Sequence, residues 1–442
     1  MNFDVRRSIS LCRVSPTIVP AGKETAITIE PMGVAKRFDD ATEYTVTFIP
    51  MEIYDIDRCH GEDEWDSVRV NPQNGKICVS YCFNYEQEWV IHVISDAERE
   101  RGPKARPVIV HIYSLEPDLY ERNPYVGDLH VHSARSDGKE DPAVVAANYR
   151  KNGFDFFALT DHHKWAPSEE VINTYADLPL GFKMFHGEEV HTPKATYRLH
   201  VVNFGSQTSV NDLYLNNVEE IDAIVEEEAK KLKTPNGVNA LEYAWRKWVY
   251  DEIKKSGGLC IVAHPNWIYK HTYNMSSAML DYVFETGLYD AFELIGGVDS
   301  QGANLQTAFY QEQRAKGRRI PIVASSDAHS TDPVGSHHFG ARKTIVFAKD
   351  CELESVRDAI LDMYSVAVEI QDIERIEHVY GSYRLVKYAR FLLDRYFPAH
   401  DELCVEEGIL MREYALGDSE AGERLKDMAD RTERQMKKLL RG

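Results

Sequence analysis

The stretch Gly127–Pro142, GDLHVHSARSDGKEDP, sets two imidazoles one residue apart in a β-like run, with a carboxylate five positions after the second. Residues i and i+2 of a strand point to the same face, so His130 and His132 can chelate one ion together. The Ser136-Asp137-Gly138 turn brings an acidic group back over the same end. Alone, a His-x-His pair is more often two satisfied or exposed histidines than a chelate. Here the signal recurs. Asp161, His162 and His163 end FDFFALT, Glu188 and Glu189 close FKMFHGEE, His264 closes GLCIVAHP, and Asp327 and His329 close PIVASSDAH. Of the 17 histidines, 12 lie between His130 and His338. Imidazole and carboxylate at that density point to transition-metal binding, and the lack of cysteine at these ends argues against a structural zinc site.

Such groups converge only if the chain returns each strand end to one mouth. From Gly127 onward the sequence alternates strand and helix. Asp141-Pro142 reads as an N-cap followed by proline at the first helical position, and AVVAANYRKN ends at Gly153, a natural helix terminator. FDFFALT, GLCIVAHP, AFELIGG and RIPIVASSDAH are apolar runs suited to strands buried on both faces. This rhythm predicts a mostly parallel sheet, and the number of units favours a barrel, whose active-site residues gather at the carboxyl ends of the strands.

The flanks differ. Residues 1–122 read as short alternating strands (ETAITIE, EYTVTFIP, GKICVSYCF, EWVIHVIS, PVIVHIYSL) broken by Gly/Pro/Asn-rich turns, the pattern of a β-sandwich-like domain. The α/β part spans 123–370 with a helical insertion at about 206–257, and 371–442 reads as a C-terminal helical extension. Its last helix is expected to start at Asp418 and to carry Leu425, Met428, Ala429, Met436 and Leu440 as one apolar stripe, for the core or a homo-oligomer contact.

Composition narrows the function classes. A formal net charge of −20 over 442 residues disfavours long nucleic acid, which needs basic surface against phosphates. The start shows no apolar signal-peptide core and the chain no long apolar run, so no membrane is expected. The seven cysteines form no CxxC and read as free thiols, which suits a cytoplasmic location; Cys78 and Cys82, four apart, are expected to pack in a core.

GDLHVHSARSDG, ALTDHH, HGEEVHT, RLHVVNFG, IVAHP and ASSDAH, in this order, resemble the polymerase and histidinol phosphatase (PHP) family over about residues 123–370. The resemblance implies a distorted (β/α)7 TIM-like barrel that holds two or three divalent ions and hydrolyses phosphate esters through metal-activated hydroxide. It implies nine ligands: His130, His132, Glu189 and Asp327 on one ion, Glu189, His200 and His264 on a second, and Asp137, His162 and His329 on a third. The family's Gly-x-Glu motif, with Gly187 setting the register, selects Glu189 over Glu188. Asp137, Glu189 and Asp327 are thereby expected in catalysis, and Asp161 resembles a carboxylate that orients a ligand histidine; its plainer reading is a structural cap. Mixed His/carboxylate ligation suits manganese, zinc or iron alike.

Arg135, Lys164, Arg198, His338 and Arg342 stand near these motifs as candidates for binding substrate phosphate; each taken singly reads more readily as an ordinary surface or salt-bridged residue, while one or two are expected to bind. Trp165, Trp267 and Tyr269 are candidate pocket walls. The leading expectation is a phosphatase acting on a small phosphomonoester. The alternatives are a phosphodiesterase or exonuclease on short nucleotides, and a metal-scaffolded binding module.

Overall fold

In the first 122 positions, alternating apolar residues give strands with one buried face. The computed structural model describes residues 12–33, 37–52, 65–192, 199–332, 339–370 and 376–442. The chain packs as two compact units: Met1–Arg122 with Lys387–His400 and Arg431–Gly442, and Asn123–Val386 with Asp401–Asp430.

In the first unit, Glu24–Pro31 pairs antiparallel with Cys12–Ser15 on one side and Ile77–Cys82 on the other. A second sheet runs in the order Ile18–Pro20, Val108–Leu115, Gln87–Ser95, Tyr44–Pro50, Ser67–Val70. Ile27, Ile29 and Ile77 from the first sheet share one apolar core with Val46, Phe48, Ile91 and Ile112 from the second. Cys78 corrects an expectation: Ile77 and Val79 take the buried positions, so period two turns Cys78 outward and leaves Cys82 only half-buried.

The second unit is mixed α/β. One sheet runs Lys183–Phe185, Phe156–Ala158, Asn123–Asp128, Arg342–Ala348, Ser365–Ile370, Glu377–Tyr380; the other runs Gly187–Val190, Val201–Phe204, Leu259–Val262, Ala291–Ile295, Ile322–Ala324. Isolated parallel bridges link the two sheets: Val131 to Ala328, both just beyond strands, and His162, just beyond Phe156–Ala158, to Glu189 within Gly187–Val190. Pairing is parallel except where Val201–Phe204 opposes both neighbours and where Arg342–Ala348 and the strands after it run antiparallel. The first reversal has a simple cause: the connection from Val190 to Val201 is too short for the helical crossover that a parallel neighbour requires.

Helix Pro142–Lys151 begins after Asp141 as its sequence suggests, but Asp141 makes no side-chain cap and instead pairs with Arg135 at 2.7 Å. Between Phe204 and Leu259 lie helices Val210–Asn216, Val218–Lys231 and Ala240–Lys255. The single last helix expected from Asp418 is two, Ser419–Asp427 and Arg431–Arg441, in different units. The break falls at Asp430, whose φ of 58° lies in the left-handed region that aspartate tolerates better than most residues. Among the described residues no helix is long and apolar enough to cross a membrane.

Candidate metal centre

The strand ends are tied to one another by backbone before any side chain is considered. Asp327 N donates to His130 O at 2.9 Å and His132 N to Ala328 O at 3.0 Å; Glu189 N donates to Thr160 O and His163 N to Glu189 O, both at 3.1 Å. The side chains of His130, His132, Asp137, His162, Glu189, His200, His264, Asp327 and His329 therefore emerge into one cluster.

Glu189 is at its centre, fully buried, with each carboxylate oxygen facing a different set of imidazoles. Oε1 lies 2.7 Å from His200 Nδ1 and 3.4 Å from His264 Nε2. Oε2 lies 2.6 Å from His162 Nδ1, 3.2 Å from His191 Nε2, 3.4 Å from His130 Nε2 and 3.6 Å from His132 Nε2. Opposite it, Asp327 Oδ1 is 2.9 Å from His132 Nε2 and 3.3 Å from His130 Nε2, while Oδ2 is 3.8 Å from His264 Nε2. At the solvent edge, Asp137 reaches His329 Nε2 at 3.2 Å and His162 Nε2 at 3.5 Å.

The donor set fits metal ions. His130 Nε2 and Glu189 Oε2 are buried with no hydrogen-bond partner, although they face each other. Such groups are costly to leave unsatisfied, and a shared dication removes the cost. Nitrogen and carboxylate donors without thiolate suit manganese, iron or zinc.

The electrostatics agree. Burial alone depresses an imidazole pKa, and it does so at His132, to about 4, and at His200, to about 3. At His130 burial acts downward but Asp327, Glu189 and Glu293 outweigh it, so the pKa rises well above its usual value. His162 rises to about 10 against burial, through Asp137 and Glu189. His264 and His329 rise too, against burial, drawn up chiefly by Glu189 and Asp137 respectively. Burial pushes the carboxyls of Glu189, Asp327 and Asp137 up, but the histidines around them hold all three below the ordinary carboxylate range.

Backbone strain collects at the same place. His264 has φ 24° and Asp327 φ 52°, a region that non-glycine residues seldom occupy. Gly297, at φ 57°, lies against His264; a Cβ there would sit 2.5 Å from the imidazole Cδ2. Gly138 closes the Ser-Asp-Gly turn under the same constraint, since a Cβ would meet His132 O at 2.8 Å.

The other expected site residues that are described make contacts of their own. Asp161 does not orient a ligand histidine: it accepts from Ser133 N at 2.9 Å, Ser133 Oγ at 2.7 Å, Ser136 N at 3.1 Å and Ser136 Oγ, which makes it the cap of the His132–Asp137 loop. Arg135 is held by Glu170, at 2.6 and 2.9 Å, and by Asp141 at 2.7 Å. Lys164 Nζ donates to Arg135 O. Arg342 is buried and donates to Val298 O, with Glu369 4.0 Å away, so it serves packing rather than an open anion site. Arg198 and His338 lie outside the described residues. Glu188 points away from the cluster and is bound by Asn203, Ser209, Val210 and Asn211.

Sequence reasoning missed three groups. Glu293, fully buried, places Oε2 2.9 Å from His130 Nδ1 and so aims Nε2 into the cluster. Its signal was a lone carboxylate inside the apolar run AFELIGG. Asp128, also buried, binds His130 N, Ser326 N and Tyr149 Oη, and burial lifts its pKa to about 6. His191 follows Glu189 by two positions, as His132 follows His130. Of the aromatic candidates, Trp267 lies over His200, ring centroids 5.3 Å apart, and stacks on Tyr269 at 5.5 Å, while Trp165 stacks on His186 at 4.3 Å.

No family model matches the chain, and no curated protein is similar to it. Among solved structures, it is similar to a two-domain protein of Bacteroides vulgatus containing a predicted PHP-like metal-dependent phosphoesterase, at 17% identity and TM-score 0.39, over 59% of this chain and 76% of that one. A protein of Bifidobacterium adolescentis, named by inference as a metal-dependent phosphoesterase, matches at 18% identity and TM-score 0.34, over 48% of this chain and 91% of its own. An amidohydrolase of Chromobacterium violaceum matches at 17% and 0.31, over 48% and 90%.

Proposed function

We propose that this chain is a metal-dependent hydrolase of phosphate esters, and that its substrate is a small phosphomonoester. The observation that carries the reading is Glu189: a fully buried carboxylate whose two oxygens each face separate imidazole sets, the arrangement of a ligand bridging two ions. In this reading His130, His132, Glu189 and Asp327 hold one ion, Glu189, His200 and His264 a second, and Asp137, His162 and His329 a third. Residues 123–370 form the catalytic body, and the Val131–Ala328 bridge supports a barrel-like closure between the chain beyond Asn123–Asp128 and the chain beyond Ile322–Ala324.

When bound, divalent ions supply Lewis acidity: they lower the pKa of water at the site and offset charge on phosphoryl oxygens. The chain's own residues supply position and exclusion. Glu293 fixes the ring of His130, Asp161 fixes the loop that carries Asp137, and the burial of Glu189 and His130 keeps bulk water from the inner donors. Asp137 and His329, at the solvent edge, stand where substrate enters. A net charge of −20 supports a small substrate over a long polynucleotide.

The test is metal analysis with paired release assays. The purified chain should take up two or three divalent transition ions and cleave p-nitrophenyl phosphate faster than bis(p-nitrophenyl) phosphate. Faster release from the bis-ester would make it a diesterase, and a chain that takes up no ion overturns the reading.

A further inference from the structure

One histidine of the cluster belongs to none of the three ligand groups above. His191 Nε2 lies 3.2 Å from Glu189 Oε2 and 2.8 Å from His162 Nδ1, and those two atoms are 2.6 Å apart. Three donors at such spacings form one triangular face around an ion whose metal–donor distances are about 2.1 Å, since an octahedral edge is then about 3.0 Å. Glu189 Oε2 is buried with no hydrogen-bond partner, and of the four imidazoles around it those of His162 and His191 lie nearest. Two imidazoles and a carboxylate on one face, with the other positions open, form a set suited to a first-row transition dication.

His162 is shared. Its Nδ1 faces Glu189 and His191, while its Nε2 faces Asp137. A neutral imidazole offers one lone pair, so His162 serves one set at a time. We propose that the outermost ion has two alternative seats, one on Asp137, His162 and His329 and the other on Glu189, His162 and His191, with His162 exchanging the nitrogen it presents. The inner seat brings the ion onto the carboxylate that the other ions share; the outer seat places it at the solvent edge. This rests on reading the cluster as a metal centre.

The experiment counts manganese by mass spectrometry in the full chain, after dialysis against excess Mn(II). Removing the outer seat with Asp137→Asn and His329→Ala together should leave the count at the wild-type value, because the ion moves to the His191 seat. His191→Ala alone should also leave it unchanged. The triple variant should lose one ion per chain. A loss of one ion in the Asp137/His329 double variant, with no further loss on adding His191→Ala, overturns the inference while the metal centre stands. A wild-type chain that binds no manganese removes the proposed function itself. Should the triple variant misfold, anomalous scattering from manganese-soaked crystals of the double variant decides: a peak among Glu189, His162 and His191 is expected, and its absence counts against the seat.

Discussion

Glu293 Oε2 sits 2.9 Å from His130 Nδ1, both side chains fully buried, the first on strand Ala291–Ile295 and the second two residues past strand Asn123–Asp128. The contact fixes which nitrogen of His130 faces the cluster and raises its basicity as a donor. Glu293→Gln keeps the shape but removes the charge. It should weaken ion binding about 10–100-fold. Competition with a chromophoric chelator measures this directly; unchanged affinity would make the contact a packing detail.

Asp327 is the natural target for abolishing turnover, but its backbone restricts the choice of variant. At φ 52° an alanine adds strain of roughly 1 kcal/mol or more, which confuses lost chemistry with lost stability. Asn tolerates that conformation. Asp327→Asn should therefore lower phosphoesterase turnover by at least about a hundredfold and leave the melting temperature near wild type. Thermal melting by circular dichroism, run alongside the assay, separates the two effects.

Ion uptake should release protons in a pH-dependent way. In the ion-free chain His162 has its pKa raised to about 10, so it is protonated at pH 8, whereas His132 at about 4 and His200 at about 3 are already neutral. A ligand imidazole must be unprotonated, so binding at pH 8 expels a proton from His162 and none from His132 or His200. Apparent affinity should climb with pH up to about 10. Calorimetry in buffers of different ionisation enthalpy reads the proton count, and pH-independent affinity between 6 and 9 would contradict the assignment.

Stability of the second unit should depend on a buried ion pair remote from the chemistry. Arg150 is fully buried and bonded by Glu407 at 2.7 Å and Asp155 at 3.4 Å, with Phe154 O accepting at 2.9 Å. Glu407→Leu leaves that guanidinium short of a carboxylate and should cost about 3–5 kcal/mol. Chemical denaturation monitors the loss, and ion binding measured well below the transition should be unchanged.

The ligand cluster was legible because most of its motifs close or follow a strand, where a parallel α/β chain concentrates its chemistry, while His200 precedes the strand that runs the other way. Glu293 and Asp128 were not, because their work is to bond other protein atoms, and a single buried carboxylate in an apolar run does not name its partner. The partners of Arg135 were hidden for a related reason. Arg135 stands inside the first motif, yet the neighbouring helices supply Glu170 and Asp141, a pairing set by tertiary packing that no local pattern displays. Asp161 shows the same limit: its resemblance to a histidine-orienting carboxylate suggested one partner, while its carboxylate bonds the loop around Ser133 and Ser136, the plainer reading as a cap. The direction of Val201–Phe204 followed from connection length, a quantity present in the sequence but hidden behind the periodicity of its neighbours.

The backbone bond from Asp327 N to His130 O joins the two extremities of the ligand set. Its consequence is temporal. A chain emerging from the ribosome exposes His130 and His132 long before Asp327 and His329 exist, so until then the early histidines have neither the Asp327 carboxylate nor the bridge that seats them. In the proposed reading the ligand set is complete only once strand Ile322–Ala324 has docked, so ion uptake would be a late event that reports completion of this part of the fold.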